Sequence, residues 1–334
     1  MDSRCCGAYQ PEPEEEETHS DMDYSNGNFE TQNVCSFSSF SLFLLHNKDP
    51  KIFEWKILDE IGRGAMSRVF LAENTETNQI CAVKVYNKSA LSQQYLNEDP
   101  PYVHVQREVD IMTSISHEYA LPIVEVIDDD YTNSLLIFAP FAPKGSLQTF
   151  IDRENPSEKT LSVCFYEIAE VLKCIHSQNI IHRDLKPENI LVFSDTDFKL
   201  SDFSVSLKLD NDEQKLMDTK GSPVFLSPEE CSKEYFCPKP ADVWAYGVSL
   251  FYCMFKSLPF KLDSIQDKEL GNAIVAVTHL LNSEELVFPE DMEYSPYLTE
   301  LLNQILQKDP KKRPNFEEIT KSKWFDYARE IVNK

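Results

Sequence analysis

His182-Arg183-Asp184-Leu185-Lys186-Pro187-Glu188-Asn189 is the stretch that decides how this 334-residue chain folds and what it can do. Eight residues supply a carboxylate that can accept a proton, a lysine two positions on that can neutralise phosphate, and an amide whose oxygen can ligate a metal. Moving a phosphoryl group calls for those three together, because the protein's work in such a reaction is positioning and charge neutralisation. A surface loop of mixed charge is the alternative. It loses ground because other segments with complementary chemistry flank the octet.

Upstream, Trp55-Lys56-Ile57-Leu58-Asp59-Glu60-Ile61 alternates as a half-buried strand and runs into Gly62-Arg63-Gly64-Ala65-Met66-Ser67-Arg68-Val69. Glycines there let backbone approach phosphate closely. Cys81-Ala82-Val83-Lys84-Val85 is an apolar strand broken by one lysine, which alone would pass for a solvated edge residue but after a glycine loop is expected to point inward. A buried ammonium needs a counter-charge. Val105 to Met112 has helical spacing and sets Glu108 on its inner side, with Asp110 and Glu118 as the other candidates. Downstream, Leu200-Ser201-Asp202-Phe203-Ser204 adds another carboxylate. Asp242 to Phe255 has almost no polar face, so it is a helix buried on all sides, too short to span a bilayer. Leu161, Cys164, Phe165, Ile168, Leu172 and Ile175 form one apolar stripe of ordinary core leading into the octet.

Taken together, these segments resemble the eukaryotic protein kinases from about residue 53 to 325. The resemblance implies an α+β, two-lobed fold: a small antiparallel-sheet lobe (53–138) with one regulatory helix, and a larger helical lobe (142–325). It implies ATP and Mg2+, with Asp184 as the base that orients a substrate hydroxyl and with Asn189 and Asp202 as the metal ligands. Lys186 would face the transferring phosphate, and its identity suggests serine or threonine as acceptor. Lys84 would reach the α- and β-phosphates and pair with Glu108, the choice favoured by Met112, one turn on, where kinases stack this helix on the phenylalanine of the metal-binding motif. Ile61, Gly62, Arg63, Gly64, Ala65, Met66, Ser67, Arg68, Val69 and Ala82 would surround the nucleotide, Ser67 standing in for a third glycine. In the hinge, Phe138 is expected as the gatekeeper, with adenine bound by the Ala139 carbonyl and the Phe141 N–H. Pro140 then falls where no donor is needed.

The same resemblance makes Leu207 to Glu229 an activation segment. Thr219 is its expected phosphosite and Arg183 the cation that would meet the phosphate. Constitutive activity, with Asp218 supplying part of the charge, is the alternative. Ser222 would contact Asp184 and Lys186 in the substrate platform, Glu229 would pair with Arg313 of Lys311-Lys312-Arg313-Pro314, and Asp242 would accept hydrogen bonds from the catalytic-loop backbone. The family's Asp-Phe-Gly is here Asp-Phe-Ser, and Ser204 lacks the glycine's freedom at positive φ, which makes backbone flips costlier without touching the metal ligand.

Within the kinases, the chain is similar to the calcium/calmodulin-dependent kinase kinases and related activators of AMP-activated kinases. Val124 to Asp130, Gly221 to Glu229, Ala241 to Val248 and the insert from Asn87 to Tyr102 carry this likeness. The insert departs from that group's basic, arginine-proline-rich one in being shorter and acidic, with Pro100 and Pro101 left. The chain ends about nine residues after Phe325, so calmodulin control is not expected.

A formal net charge of −24 disfavours nucleic acid and anionic membranes as partners and favours basic peptides by steering. Glu188 would contact a substrate arginine, or else is a solvated loop acid. Protein substrates, other kinases among them, are expected. Residues 1–50 read as a disordered acidic tail, within which the apolar run Ser36 to His46 could dock on the small lobe, and 326–334 as a short C-terminal tail. No transmembrane segment is expected. Nine scattered cysteines fit a reducing, cytoplasmic setting with access to the nucleus, Cys231 and Cys237 being structural rather than zinc ligands, and Cys5-Cys6 a weak acylation candidate. The rival reading is a pseudokinase scaffold, supported by Ser204 alone. A small-molecule kinase is disfavoured by the intact platform from Ser222 to Glu229.

Overall fold

Alternating apolar residues in the first third of the chain become strands because one face of each can be buried at a time. The computed structural model describes residues 38–332 apart from 65, 94–98, 233, 266–269 and 291. Ala65, Cys5, Cys6 and the tail up to residue 37 lie outside the described residues. Six strands, β1 (Lys51–Ile52), β2 (Trp55–Arg63), β3 (Ser67–Asn74), β4 (Ile80–Asn87), β5 (Glu125–Asp129) and β6 (Ser134–Pro140), form an antiparallel sheet in the order β1-β2-β3-β4-β6-β5. Its outer face buries Trp55, Phe70, Val83, Val85 and Phe138.

That outer face is covered by α1 (Ser38–His46), whose Phe40 is 1% exposed and packs on Phe70 at 5.4 Å between ring centroids. The expected tail is therefore structured from residue 38 onward, because the Phe40 side chain gains more by filling the sheet's apolar surface than the segment loses in chain entropy. Two further helices follow β4. The short α2 (Lys88–Leu91) is capped by the Asn87 side chain, and α3 (Pro101–Ser114) starts with a proline at its first position, where no N–H is needed.

The larger lobe is helical. Serines 146 and 157 cap α4 (Leu147–Glu154) and α5 (Glu158–Ser177) through their side chains. The chain then makes β7 (Ile180–Ile181), the hairpin β8 (Ile190–Ser194) and β9 (Asp197–Leu200), and β10 (Leu207–Lys208), which pairs back on β7. Next comes α6 (Pro238–Phe255), buried nearly all round as its composition requires. It lies so close to a later helix, α8 (Pro296–Ile305), that a Cβ on Gly247 would sit 2.3 Å from Ile305 Cγ2. In sequence between them comes α7 (Leu270–Ser283), and the chain goes on to α9 (Phe316–Ile319), held by an Asn315–Glu318 capping box, and α10 (Asp326–Val332). Residues 326–332 of the short C-terminal tail form a helix that packs on α5, with Ala328 fully buried.

Glu167 on α5 is 2% exposed and accepts the Phe198 N–H at 2.8 Å, tying α5 to the hairpin that carries the site. Burial pushes its carboxyl up to about 8, against the smaller opposing effect of that hydrogen bond. An acid whose folded pKa lies above its unfolded value near 4.5 contributes stability that is full below the unfolded value and lost as pH rises through the folded one. Glu167→Gln should therefore flatten the fall in unfolding free energy between about pH 4.5 and 8, measured by urea titration at a series of pH values. Truncating Phe40 to alanine should lower the unfolding free energy by about 3 kcal/mol, with the loss visible in the denaturation midpoint.

Candidate active site

The short pairing of β7 with β10 and the β8–β9 hairpin bring three loops to one place. Asn189 ends the first loop and Asp202 begins the second. Because Ile190 pairs with Leu200, the backbones that carry these residues are held together, the Ser201 N–H bonding the Asn189 carbonyl at 2.9 Å. Asp184 stands between them and the substrate platform. Its Oδ2 accepts from Asn189 Nδ2 at 3.0 Å and lies 2.8 Å from the Lys186 ammonium, while its Oδ1 accepts from the Ser222 N–H at 3.1 Å and the Ser222 hydroxyl at 3.3 Å. Lys186 also donates to Ser222 Oγ at 2.8 Å. A carboxylate held by four donors has one orientation, which is what general-base chemistry on an incoming hydroxyl demands.

The loop keeps this shape against its own backbone preference. Arg183 has φ +71° and Asp202 φ +60°, both in the left-handed region that costs a non-glycine residue energy. Asp242 offsets part of that cost. Buried at the start of α6, it accepts the His182 and Arg183 N–H groups at 2.8 and 2.9 Å and pairs with His176 Nε2 at 2.8 Å. Burial works to raise its carboxyl, but His176 and these donors outweigh it and leave the pKa lowered. Phe203 is 1% exposed and packs edge-on against the His182 ring at 5.0 Å.

Across the cleft, Lys84 Nζ lies 2.8 Å from Glu108 Oε1 and 3.7 Å from Asp202 Oδ1. Asp110 and Glu118 are exposed, which leaves Glu108 as the partner. Burial works to lower the lysine's pKa; Glu108, Tyr86 and Asp202 outweigh it and raise the pKa above the ordinary value. Asp202 is lowered, burial being outweighed by Lys84 and the Ser204 side chain. Its Oδ1 is buried with no hydrogen-bond partner among the described residues. An orphaned carboxylate oxygen beside an amide whose Nδ2 is already committed to Asp184 suits a hard divalent cation that takes oxygen ligands, so Asn189 and Asp202 fit Mg2+.

The protein kinase domain family matches residues 55–325. The chain belongs to the protein kinase family. It is 28% identical over 291 residues to a calcium/calmodulin-dependent protein kinase kinase of Caenorhabditis elegans (81% of this chain, 52% of the relative). A probable serine/threonine-protein kinase of Dictyostelium discoideum is 32% identical over 275 residues (81% and 38%), and the serine/threonine-protein kinase GRIK2 of Arabidopsis thaliana 30% over 291 (83% and 67%). The chain thus spans about half the length of the nematode relative and less of the amoebal one. Its domain is of the serine/threonine kind, similar to the calcium/calmodulin-dependent kinase kinases, and such domains use ATP with Mg2+.

Several residues of this kinase sit elsewhere than its sequence suggests. Phe138 does not wall the cleft. It pairs with Val83 and shares that residue's outer face, stacked on Trp55 at 4.4 Å, while Ala139 lies opposite Ala82 on the face that carries Lys84. Strand pairing alternates faces with period two, so the expected hinge register is wrong by one residue. Arg63 and Arg68 turn away from the phosphate site, both bonding Glu60, and Arg68 also donates to Ser41 of α1 at 2.9 Å. Gly64 makes the turn of the loop, donating its N–H to Ser67 O at 2.8 Å, with Met66 beside it in the cleft and Ser67 buried. Ile61 is exposed, and Gly62 pairs with Val69 across the loop's arms.

Arg183 reaches Asp218, donating to its carboxylate at 2.8 Å and its carbonyl at 3.0 Å, and not Thr219, whose hydroxyl donates to the Glu230 carbonyl at 2.9 Å. Glu229 and Arg313 form a two-pronged pair at 2.5 and 2.8 Å, with the Arg313 side chain wholly buried over Trp244. Glu188 is exposed beside Gln148, Tyr252 and Ser222, and Phe141 is partly exposed.

Two functional contacts have no signature in the local sequence: the Tyr86 hydroxyl on Glu108, and Gly221. At φ +92°, a Cβ on Gly221 would meet the Arg183 carbonyl at 2.6 Å and Asp184 Oδ1 at 3.1 Å. Gly221→Ala should therefore lower kcat about a hundred-fold by displacing Asp184, with the far-UV circular dichroism unchanged.

Proposed function

We propose that this kinase transfers the γ-phosphoryl group of ATP to serine or threonine hydroxyls of basic protein segments, other kinases among them. One observation carries the reading. Asp184, Lys186 and Ser222 converge on one point, with Asn189 and Asp202 adjacent and Lys84 facing them across the cleft. In this account the acceptor hydroxyl enters beside Asp184, which takes its proton as the new O–P bond forms. Lys186 and Lys84 neutralise charge on the phosphoryl oxygens as the bond to the β-phosphate breaks. When bound, Mg2+ on Asn189 and Asp202 would supply charge neutralisation between the phosphates.

Adenine would lie under Ala82 and Ala139. With Ala139 in place of Phe138 at the cleft wall, the carbonyl and N–H that hold the base move to Pro140 and Ala142. Proline there contributes only its carbonyl. Glu188, exposed at the platform, and the net charge of −24 support basic substrates. The nematode relative is named a kinase kinase, which supports kinases as substrates. Ser204 favours the pseudokinase scaffold as a second reading, yet it helps to keep Asp202 ionised.

Incubating the chain with labelled ATP, Mg2+ and a panel of basic peptides and inactive kinases tests this. Incorporation should vanish in Asp184→Asn. Equal labelling by wild type and that variant would point to a contaminant, and nucleotide binding without labelling would favour the scaffold. Asp218→Ala should reduce the rate more than Thr219→Ala, since it leaves Arg183 without its anion. The order is read from initial rates at saturating ATP.

A further inference from the structure

Tyr86 lies on β4 two residues past Lys84, hence on the same face of the strand, and is 4% exposed. Its hydroxyl donates to Glu108 Oε2 at 3.1 Å while Lys84 holds Oε1 at 2.8 Å, so a single strand grips both oxygens of a carboxylate on α3. The Lys84 ammonium also sits 5.4 Å from the centre of the Tyr86 ring, within cation–π range. The ring packs with Leu91, Val105 and Ile137.

The N-terminal end of α3 is held by the buried Pro101 and Val105 and by an Arg107–Asp99 ion pair at 3.6 Å. It begins behind Pro100 with no side-chain cap and no acid in its first turn. A cavity of about 500 Å3 opens beside it, bordered by Tyr86, Pro101 and His104 together with Lys84, Glu108 and Asp202. Arg183, the cation through which an activation-segment phosphate would act, is already engaged by Asp218.

We propose that Tyr86 is a positioning residue: its hydroxyl holds Glu108, and through it α3, in the orientation that keeps Lys84 at the phosphates without a phosphate on the activation segment. The proposal rests on the kinase reading. Phenylalanine at this position keeps the packing and removes one hydrogen bond, leaving a buried carboxylate oxygen without a donor. That favours states in which α3 tilts outward and Glu108 meets water.

The test is steady-state kinetics on unphosphorylated wild type, Tyr86→Phe, Glu108→Gln, the double variant and Asp184→Asn, with amide hydrogen exchange on the first two. In Tyr86→Phe, kcat/KM for ATP should fall about ten-fold. Exchange should quicken in α3 while the sheet amides stay as in wild type. In the Glu108→Gln background, adding Tyr86→Phe should leave the residual rate unchanged, because the hydroxyl acts through that carboxylate. A Tyr86→Phe enzyme as fast as an active wild type, with α3 exchange unaltered, overturns this proposal alone. An equal ten-fold loss in the Glu108→Gln background also overturns it, by showing that Tyr86 acts on something else. A wild type no faster than Asp184→Asn overturns the kinase reading and this proposal with it.

Discussion

The Asp242 carboxylate, buried at the start of α6 and bound to the His182 and Arg183 amides, is the interaction on which the active geometry rests. Those amides belong to a turn with Arg183 at positive φ, a shape the loop would not hold unaided. Once the turn is set, Asp184 points at the platform, Asn189 reaches back to it, and Phe203 closes on His182. Burying an ionised carboxylate is costly unless every lone pair is satisfied. His176 from α5 provides the remaining contact, so three segments distant in sequence depend on one side chain.

Charge is managed in two different ways around this centre. In the core of the large lobe, Glu229 and Arg313 neutralise each other with two-pronged geometry, and removing either partner would leave a buried charge at a cost of about 3–5 kcal/mol. At the cleft, pairing is incomplete: among the described residues Asp202 Oδ1 has no hydrogen-bond donor, and the Lys84 ammonium stands 3.7 Å away. A fully satisfied carboxylate there could not take a metal. In the activation segment, Arg183 is likewise paired, with the Asp218 carboxylate at 2.8 Å.

Much of the site was legible in the sequence because it is carried by short contiguous segments. The octet from His182 to Asn189, the lysine strand and the aspartate after β9 each declare their chemistry through residue type and spacing, while Glu108 was favoured over Asp110 and Glu118 by the kinase resemblance through Met112. The hinge was harder. Leu135 to Pro143 is apolar throughout, so no alternation marks which residues face inward, and avoiding proline at a donor position selected the wrong register. Likewise the apolar run Ser36 to His46 was expected to be able to dock on the small lobe, but which surface it would meet was not legible; Phe40 packs on the ring of Phe70.

By itself, the sequence determined the inventory of reactive groups and the order of strands and helices, since both follow from local periodicity and from residue chemistry. Only the tertiary structure decided which groups meet: Phe138 with Trp55, Arg183 with Asp218, Tyr86 with Glu108. The physical reason is that a one-residue change of strand register reverses every face. Ion pairs and hydrogen bonds, for their part, depend on distances through space that chain separation does not constrain.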